Sequence, residues 1–263
     1  MKELALRPTY WAAVSGGKDS LFMLNLILNN LDKYPLNGVV HFELEIDYPF
    51  IKNVIDYMET QCKKVGLQFI RIKPRQTWQE LYDKYHFPTR VARWCNSKYK
   101  LDAKEQLVEF MKAQGYNTIF YIGYCKDEER RYTARSIINE RYPLVDFDIM
   151  EKDILEWAKK EPIFNDYYKF NTRCGCMYCP MASYKNMAYL CKYYPENYKF
   201  MIEKMAETEE YLTKLKGKPV AIKQSNPKYN VKYVDNIVKT KWLKLLEKQL
   251  QEEGEWYERK RQN

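Results

Sequence analysis

Six consecutive residues, Ser15-Gly16-Gly17-Lys18-Asp19-Ser20, directly follow a short apolar run that ends at Val14. From Ser20 onward, leucines recur at spacings of three and four, which is typical of an amphipathic helix. A strand that ends in two glycines and opens a helix gathers backbone N–H groups and the positive end of the helix dipole, so it favours an anion such as phosphate. Lys18 adds positive charge, both serine hydroxyls can donate hydrogen bonds, and Asp19 can cap the helix or orient Lys18. The alternative is a plain strand-to-helix turn, because the spacing matches neither the P-loop nor the three-glycine dinucleotide motif.

Cysteines form the second group that could do chemistry. The chain has seven, at positions 62, 95, 125, 174, 176, 179 and 191. An odd number in a chain too long to need disulfide staples favours reduced thiols, some of them metal ligands. The pattern Ile55, Met58, Cys62 predicts that Cys62 lies in the core. Cys191 is either a fourth metal ligand or a core residue, and we favour the core. Cys125 follows a predicted strand, where a lone cysteine is more often a packing residue than a nucleophile.

The remaining cysteines have metal-ligand spacing. Cys176 and Cys179 are close enough for both thiolates to bind one metal, with Cys174 beside them and Cys95 available from the earlier half of the chain. The two histidines, at 41 and 86, lack ligand spacing to any cysteine, so the predicted site is all-thiolate. Such a site suits an iron-sulfur cluster or tetrahedral zinc, and free or redox thiols are the alternative.

The elements that must position these residues alternate along the first half of the chain. Apolar runs predict strands at 10–14, 39–46, 67–72 and 118–122, and helical periodicity follows Ser20 and spans 51–65 and 102–113. This alternation predicts an α/β fold with a doubly wound parallel sheet. We expect an α/β domain over residues 1–150. Residues 151–263 are expected to hold the cysteine segment and a helical, lysine-rich C-terminal region, with one long helix over 196–216.

Composition limits the partners. The net charge is +9, and ten lysines lie between 214 and 248 against only Asp235 and Glu247. This charge suits an RNA or DNA backbone, or a solvated helix face. Apolar runs fall short of bilayer-spanning length and no secretory signal is visible, so we expect a cytoplasmic location and no membrane partner. The sequence does not decide the oligomeric state.

The loop and four later motifs together resemble one protein family. All six loop residues resemble the PP-loop of ATP pyrophosphatases, and the later motifs resemble the phosphoadenosine phosphosulfate (PAPS) reductase branch of that superfamily, over about residues 10–200. Those motifs are Asp47-Tyr48-Pro49; Arg93-Trp94-Cys95 with Lys98 and Lys100; Gly123 with Asp127, Glu128 and Arg131, followed by a strand at Tyr142-Pro143-Leu144; and Arg173-Cys174-Gly175-Cys176 with Cys179-Pro180.

The resemblance implies an adenine nucleotide alpha hydrolase-like fold that binds ATP or a PAPS-like nucleotide, with Mg²⁺ accompanying ATP. Its implied nucleotide contacts are Ser15, Gly16, Gly17, Lys18, Asp19, Ser20, Asp47, Gly123, Asp127, Glu128 and Arg173. Its implied catalytic residues are Lys18, Asp19, Arg131 and Cys95. Its implied metal ligands are Cys95, Cys174, Cys176 and Cys179, around a 4Fe-4S cluster with zinc as the alternative. The expected reaction is nucleotidyl or sulfur transfer, with a sulfur donor or thiol reductant protein and an RNA or DNA substrate as further partners.

Two departures bear on the reaction. Sulfonucleotide reductases carry an arginine where this chain has Cys125, and they end in a tail whose cysteine attacks the sulfate. This chain has no cysteine after Cys191. A sulfonucleotide reductase that uses a different thiol is therefore the first alternative, and a non-catalytic protein that binds a nucleotide or nucleic acid is the second.

Overall fold

The computed structural model describes residues 6–133, 139–223 and 226–261. The strands are β1 (Arg7–Val14), β2 (Gly38–Phe42), β3 (Gln68–Ile72), β4 (Tyr116–Tyr121) and β5 (Glu140–Arg141). The helices are α1 (Lys18–Leu28), α2 (Pro49–Lys64), α3 (Trp78–Tyr85), α4 (Leu101–Ala113), α5 (Glu129–Thr133), α6 (Pro143–Asp146), α7 (Glu151–Ala158), α8 (Tyr167–Phe170), α9 (Tyr184–Tyr193), α10 (Pro195–Lys216), α11 (Val231–Ile237) and α12 (Leu243–Arg261).

The five strands form one sheet in the order β3-β2-β1-β4-β5, and every neighbouring pair is parallel. The chain leaves β1 toward β2 and β3, then returns to build β4 and β5 on the other side. β1 and β4 are therefore neighbours whose connections run in opposite directions, which makes the gap between them the topological switch point. This confirms the predicted doubly wound parallel sheet.

Helices cover both faces of the sheet. On one face, Leu107 of α4 packs with Trp11, Val40 and Phe120 in a buried apolar cluster. The opposite face is covered by α1 and α2, which contact β1 and β3. α1 turns Leu21 and Leu24 into the core, as its leucine spacing predicts. A strand covered on both faces buries successive residues rather than alternate ones. The first four residues of β2 are all buried.

Two compact units make up the chain. Unit 1 comprises Met1–Thr77 and Asn96–Tyr168, and unit 2 comprises Trp78–Cys95 and Lys169–Asn263. The expected boundary at residue 150 differs from this division because α7 packs on α1 within unit 1. Unit 2 also includes the segment Trp78–Cys95 from the first half of the chain. The Trp78 ring packs there against Tyr178 and Phe200, at centroid distances of 5.3 and 5.9 Å.

Two of the strand predictions are wrong. The second strand ends at Phe42 rather than at Ile46, because the next residues form a turn in which the Asp47 N–H donates to the Leu44 carbonyl. The predicted strand at Tyr142-Pro143-Leu144 is a helical turn that starts at Pro143. Proline has no N–H to give to a sheet, and it suits the first position of a helix.

The other long elements follow the expected ranges closely, including the long helix α10. Among the described residues, no helix combines the length and the apolar character that crossing a membrane requires.

Candidate functional site

The glycine loop joins the carboxyl end of β1 to the first turn of α1. Ser20 Oγ accepts a hydrogen bond from the Ser15 N–H (3.2 Å) and donates one to the Gly17 carbonyl (2.9 Å), so one hydroxyl closes the turn. Gly17 is the N-cap of α1, and no side chain caps the helix there. The loop therefore presents the start of an eleven-residue helix without a side-chain cap, at the switch point of the sheet.

Two glycines are required by this geometry. Gly16 has φ +72°, and a Cβ there would lie 2.7 Å from Cγ2 of Ile51. A Cβ on Gly123, just after β4, would lie 2.9 Å from the Asp19 carbonyl oxygen. The sequence predicts that the two glycine segments share one sheet edge, and the structure brings them into contact there.

Lys18 is buried, and its ammonium lies between two carboxylates. Its Nζ is 2.6 Å from Asp19 Oδ1 and 3.5 Å from Glu151 Oε1. Burial raises the pKa of Asp19, although the charge of Lys18 opposes that shift. One positive charge thus balances two acidic groups, and a bound polyphosphate would compete with them for Lys18. Glu151 has no motif that singles it out in the sequence.

Tyr168 is a second contact that the sequence does not single out as a loop residue. Its hydroxyl accepts a hydrogen bond from the Lys18 N–H at 2.9 Å. Just before it, Asn165 and Asp166 have φ values of +45° and +58°. Asn and Asp tolerate this left-handed region better than other residues with a side chain, and such positions concentrate at functional sites. The Asn-Asp pair is the signal that could have marked this turn.

The segment after Gly123 holds several of the predicted contacts. Cys125 is buried with its Sγ 3.7 Å from Asp19 Oδ1, and burial raises the pKa of its thiol. Glu128 accepts hydrogen bonds from the Cys125 N–H (3.3 Å) and from Arg131 (2.7 Å). The Arg131 guanidinium also lies 4.2 Å from the centre of the Tyr124 ring. Arg131 is therefore held by an ion pair and a ring. The buried neutral thiol of Cys125 packs as expected.

Asp127 has a structural partner near the loop. Its Oδ1 accepts a hydrogen bond from the Glu151 N–H at 3.0 Å, so it caps the start of α7. Because Glu151 also contacts Lys18, this bond ties the predicted Asp127 segment to the phosphate loop.

Asp47 lines a small cavity at the ends of β2 and β3. The cavity, of about 140 Å³, is also lined by His41 and by Ile51, the side chain that contacts Gly16. Burial raises the pKa of Asp47 to about 6, although Lys100 opposes the shift. Nδ1 of His41 is 3.0 Å from the Val14 carbonyl oxygen, and burial lowers the pKa of His41. The neutral ring fixes the strand end that leads into the loop.

The predicted metal ligands lie in unit 2, as does Arg173. Cys95 and Cys176 are buried, while Cys174 and Cys179 are half-buried, and none of the seven cysteines forms a disulfide bond. The Cys179 N–H donates to the Cys176 carbonyl (3.2 Å), which closes a tight turn between the two thiols. Within the described ranges, no three His, Cys, Asp or Glu side chains are arranged to hold a metal ion. The four-cysteine site therefore stays a prediction.

Cys62 and Cys191, the two remaining cysteines, differ in burial. Cys62 is fully buried, which confirms its predicted place in the core. Cys191 is half-buried on α9, so it lies at the edge of the apolar interior.

The parallel sheet with a glycine loop at its switch point places the chain in the doubly wound class of α/β proteins. Within that class the assignment narrows further, because the phosphoadenosine phosphosulfate reductase domain model matches residues 9–182. The chain belongs to this family.

Two relatives come from Methanocaldococcus jannaschii. Uncharacterized protein MJ0973 is 29% identical over 201 residues, which cover 69% of this chain and 44% of that protein. Uncharacterized protein MJ0066 is 27% identical over 202 residues, which cover 70% and 38%. The chain thus spans less than half the length of these relatives. Among solved structures, the U34-tRNA thiolase NcsA from Methanococcus maripaludis with its 4Fe-4S cluster matches with a TM-score of 0.40 and 12% identity, over 90% of this chain and 74% of that chain.

Proposed function

We propose that this chain is an enzyme that binds ATP or a related adenine nucleotide and catalyses nucleotidyl or sulfur transfer. One observation carries the proposal: the glycine loop and Gly123 meet at the switch point, where doubly wound sheets bind their ligands. Membership of the PAPS reductase domain family supports an adenine nucleotide as the ligand.

The loop supplies the contacts that a polyphosphate needs. The Asp19 and Ser20 N–H groups in the first turn of α1 would donate to the phosphates, since the Lys18 N–H already donates to Tyr168, and the helix dipole adds positive potential there. Lys18 would leave part of its interaction with Asp19 and Glu151 to pair with a phosphate oxygen. Asp47 and the cavity beside Ile51 lie next to this loop, so the nucleoside would extend toward them.

The proposed reaction is an adenylation followed by a displacement. A carbonyl oxygen of the acceptor attacks the α-phosphorus of ATP, and pyrophosphate leaves with the bond electrons. Sulfur from a donor then attacks the activated carbon and displaces AMP. Lys18 and the amide groups of the loop offset negative charge that develops on the phosphates. Arg131 would join them only after leaving Glu128, its ion-pair partner.

Asp19 is the carboxylate that would hold Mg²⁺ together with the phosphates. Magnesium sites in nucleotide enzymes use one or two carboxylates, the phosphates and water, so a three-residue protein cage is not required. When bound, the ion neutralises phosphate charge. Asp19 is half-buried beside the loop, and the arrival of a cation would lower its raised pKa.

A metal centre on Cys95, Cys174, Cys176 and Cys179 is a separate proposal, and no step of the reaction above passes through it. Iron, sulfide and zinc analysis of anaerobically purified protein tests it. Metal that is lost in Cys176→Ser and Cys179→Ser but kept in Cys62→Ser supports the site. Protein without metal, or with the same metal in all variants, contradicts it.

Product analysis tests the reaction class. Pyrophosphate and AMP formed from ATP in the presence of acceptor support the proposed transfer. Sulfite formed from PAPS with a thiol reductant supports the reductase alternative instead. Nucleotide binding without any product under either condition supports the non-catalytic alternative. Asp19→Asn is the variant to compare with the wild type in these assays, since it keeps the side-chain size and removes the charge next to Lys18.

A further inference from the structure

Two cavities in unit 2 share one arginine. The larger, of about 500 Å³, is lined by Arg90, His86 and Tyr211 among others. The smaller, of about 370 Å³, is lined by Arg90, Tyr184 and Trp242. Arg90 belongs to a tight loop in which the Thr89 N–H donates to the Ala92 carbonyl (3.1 Å) and the Ala92 N–H donates to Thr89 Oγ1 (3.0 Å). This bonding holds the arginine where both cavities meet.

Each cavity contains a pair of aromatic rings. The His86 and Tyr211 rings lie 3.9 Å apart at 35°, and the Tyr184 and Trp242 rings lie 6.3 Å apart at 34°. Tyr211 is 44% exposed, so part of its face is open to a ligand. Planar rings that reach solvent beside cationic side chains suit a planar heterocycle that stacks on them.

The charged side chains that line the two cavities have one sign. The described residues that line them include no Asp or Glu. The cations that line them are Lys84, Arg90 and Lys216 in the larger cavity and Arg90, Lys185 and Lys223 in the smaller. Lys223 Nζ donates to the carbonyls of Pro180 and Ala182, which holds this side chain at the cavity wall, and burial lowers its pKa to about 8. Two of these cations, Lys216 and Lys223, belong to the lysine-rich stretch from 214 to 248.

We propose that unit 2 binds two neighbouring nucleotides of a single-stranded nucleic acid, with one base in each cavity and the linking phosphate on Arg90. Aromatic rings with a basic groove are how proteins bind single strands, because each base offers a face for stacking and each phosphate a charge. A mononucleotide would occupy one cavity and leave the other aromatic pair without a ligand. The shared arginine instead matches a phosphodiester between two bases.

This inference goes beyond the adenine-nucleotide function of unit 1. It concerns different residues, and its assay contains no ATP. A failure of the phosphate loop to bind ATP and a failure of unit 2 to bind nucleic acid are therefore separate results.

Fluorescence anisotropy of the full chain with labelled single-stranded RNA and DNA of one sequence tests the proposal. Replacing one stacking ring, in Tyr211→Ala or Trp242→Ala, should raise Kd about 5- to 150-fold, the usual loss per stacked base. Tyr193→Ala is the matched control, because this exposed ring of α9 lines neither cavity. Thermal melting of each variant shows that it is folded. Binding of RNA, DNA or both through these rings supports the proposal, and the two arms show which sugar is preferred.

Salt dependence tests the role of Arg90. Losing one phosphate contact reduces the slope of log K against log salt by about 0.7 for a single strand, so Arg90→Gln should show this reduction. Lys199→Gln, on an exposed part of α10 away from both cavities, should leave the slope unchanged. Unchanged affinity in both ring variants, an unchanged slope in Arg90→Gln, or binding of AMP as tight as that of the oligonucleotide would each overturn the proposal.

Discussion

Replacing Asp47 by Asn should make the protein more stable and weaken its hold on the nucleotide. Burial raises the pKa of Asp47 from 3.8 to about 6, so the folded protein binds this proton more tightly than the unfolded chain does. The protonation of Asp47 therefore stabilises the fold. This contribution is fully present below the pKa of the unfolded chain, and it is lost as pH rises through the pKa of the folded protein. Above the pKa of the folded protein, the buried carboxylate is charged and destabilises the fold by about 3 kcal/mol, because its pKa is raised by about two pH units. The uncharged Asn avoids this cost.

The size of this effect must depend on pH. Linkage predicts a stability gain for Asp47→Asn of about 3 kcal/mol near pH ~7.5, about half of that near pH ~5, and under ~1 kcal/mol near pH ~4. Lys100, which partly offsets the burial of Asp47, is unchanged in the variant. Urea denaturation at the two higher pH values measures the gain, with Asp32→Asn on an exposed loop as the control. A gain that is absent, or equal at both pH values, would refute the reasoning.

Asp47→Asn should also weaken ATP binding, because it removes a carboxylate that can accept hydrogen bonds from the nucleoside, which we propose extends toward Asp47; a stabilised variant with full ATP affinity would show that Asp47 does not contact the nucleotide. Gly16→Ala should destabilise the fold more than Gly66→Ala, since both glycines have positive φ but only Gly16 would place its Cβ 2.7 Å from Ile51. Urea denaturation should give about 1–2 kcal/mol for Gly66→Ala and more for Gly16→Ala, and equal losses would contradict the Ile51 contact. Lys18→Met should lower stability by about 3 kcal/mol at neutral pH because it leaves two acidic groups without their cation, and a Lys18→Met, Glu151→Gln double variant should recover part of the loss in thermal melting.

The local parts of the site are readable from the sequence. A strand, two glycines and a helix follow one another within residues 7–28, so the phosphate loop needs no distant information. Gly123 is predictable for a related reason, because consecutive parallel strands must end at the same sheet edge.

Contacts between distant segments are not readable in this way. Tyr168 lies 150 residues after Lys18, and only the packing of the completed unit 1 brings its hydroxyl to the loop. Glu151 reaches Lys18 because α7 packs on α1, and nothing in its local sequence distinguishes it from other acidic residues at helix starts.

Apolar periodicity also fails to mark where a strand stops. The apolar pattern continues to Ile46, yet hydrogen bonding within the turn at Leu44 and Asp47 ends β2 at Phe42. The sequence pattern likewise does not show which segments make up unit 2. The segment Trp78–Cys95 joins residues that lie far along the chain through the packing of Trp78, and no composition shift marks it.

Calorimetric titration of ATP and PAPS into the wild-type chain and into Gly17 variants measures whether the glycine loop binds the nucleotide phosphates. A Cβ at Gly17 would meet its nearest neighbours, Tyr168 Oη and Ser15 Oγ, at 3.5 and 3.6 Å, so the fold accepts a small side chain there. We expect one of the two nucleotides to bind the wild type, and its affinity to fall from Gly17 to Gly17→Ala to Gly17→Val while the melting temperature stays close to wild type. Binding that is undiminished in Gly17→Val, or no binding of either nucleotide to the wild type, would contradict it.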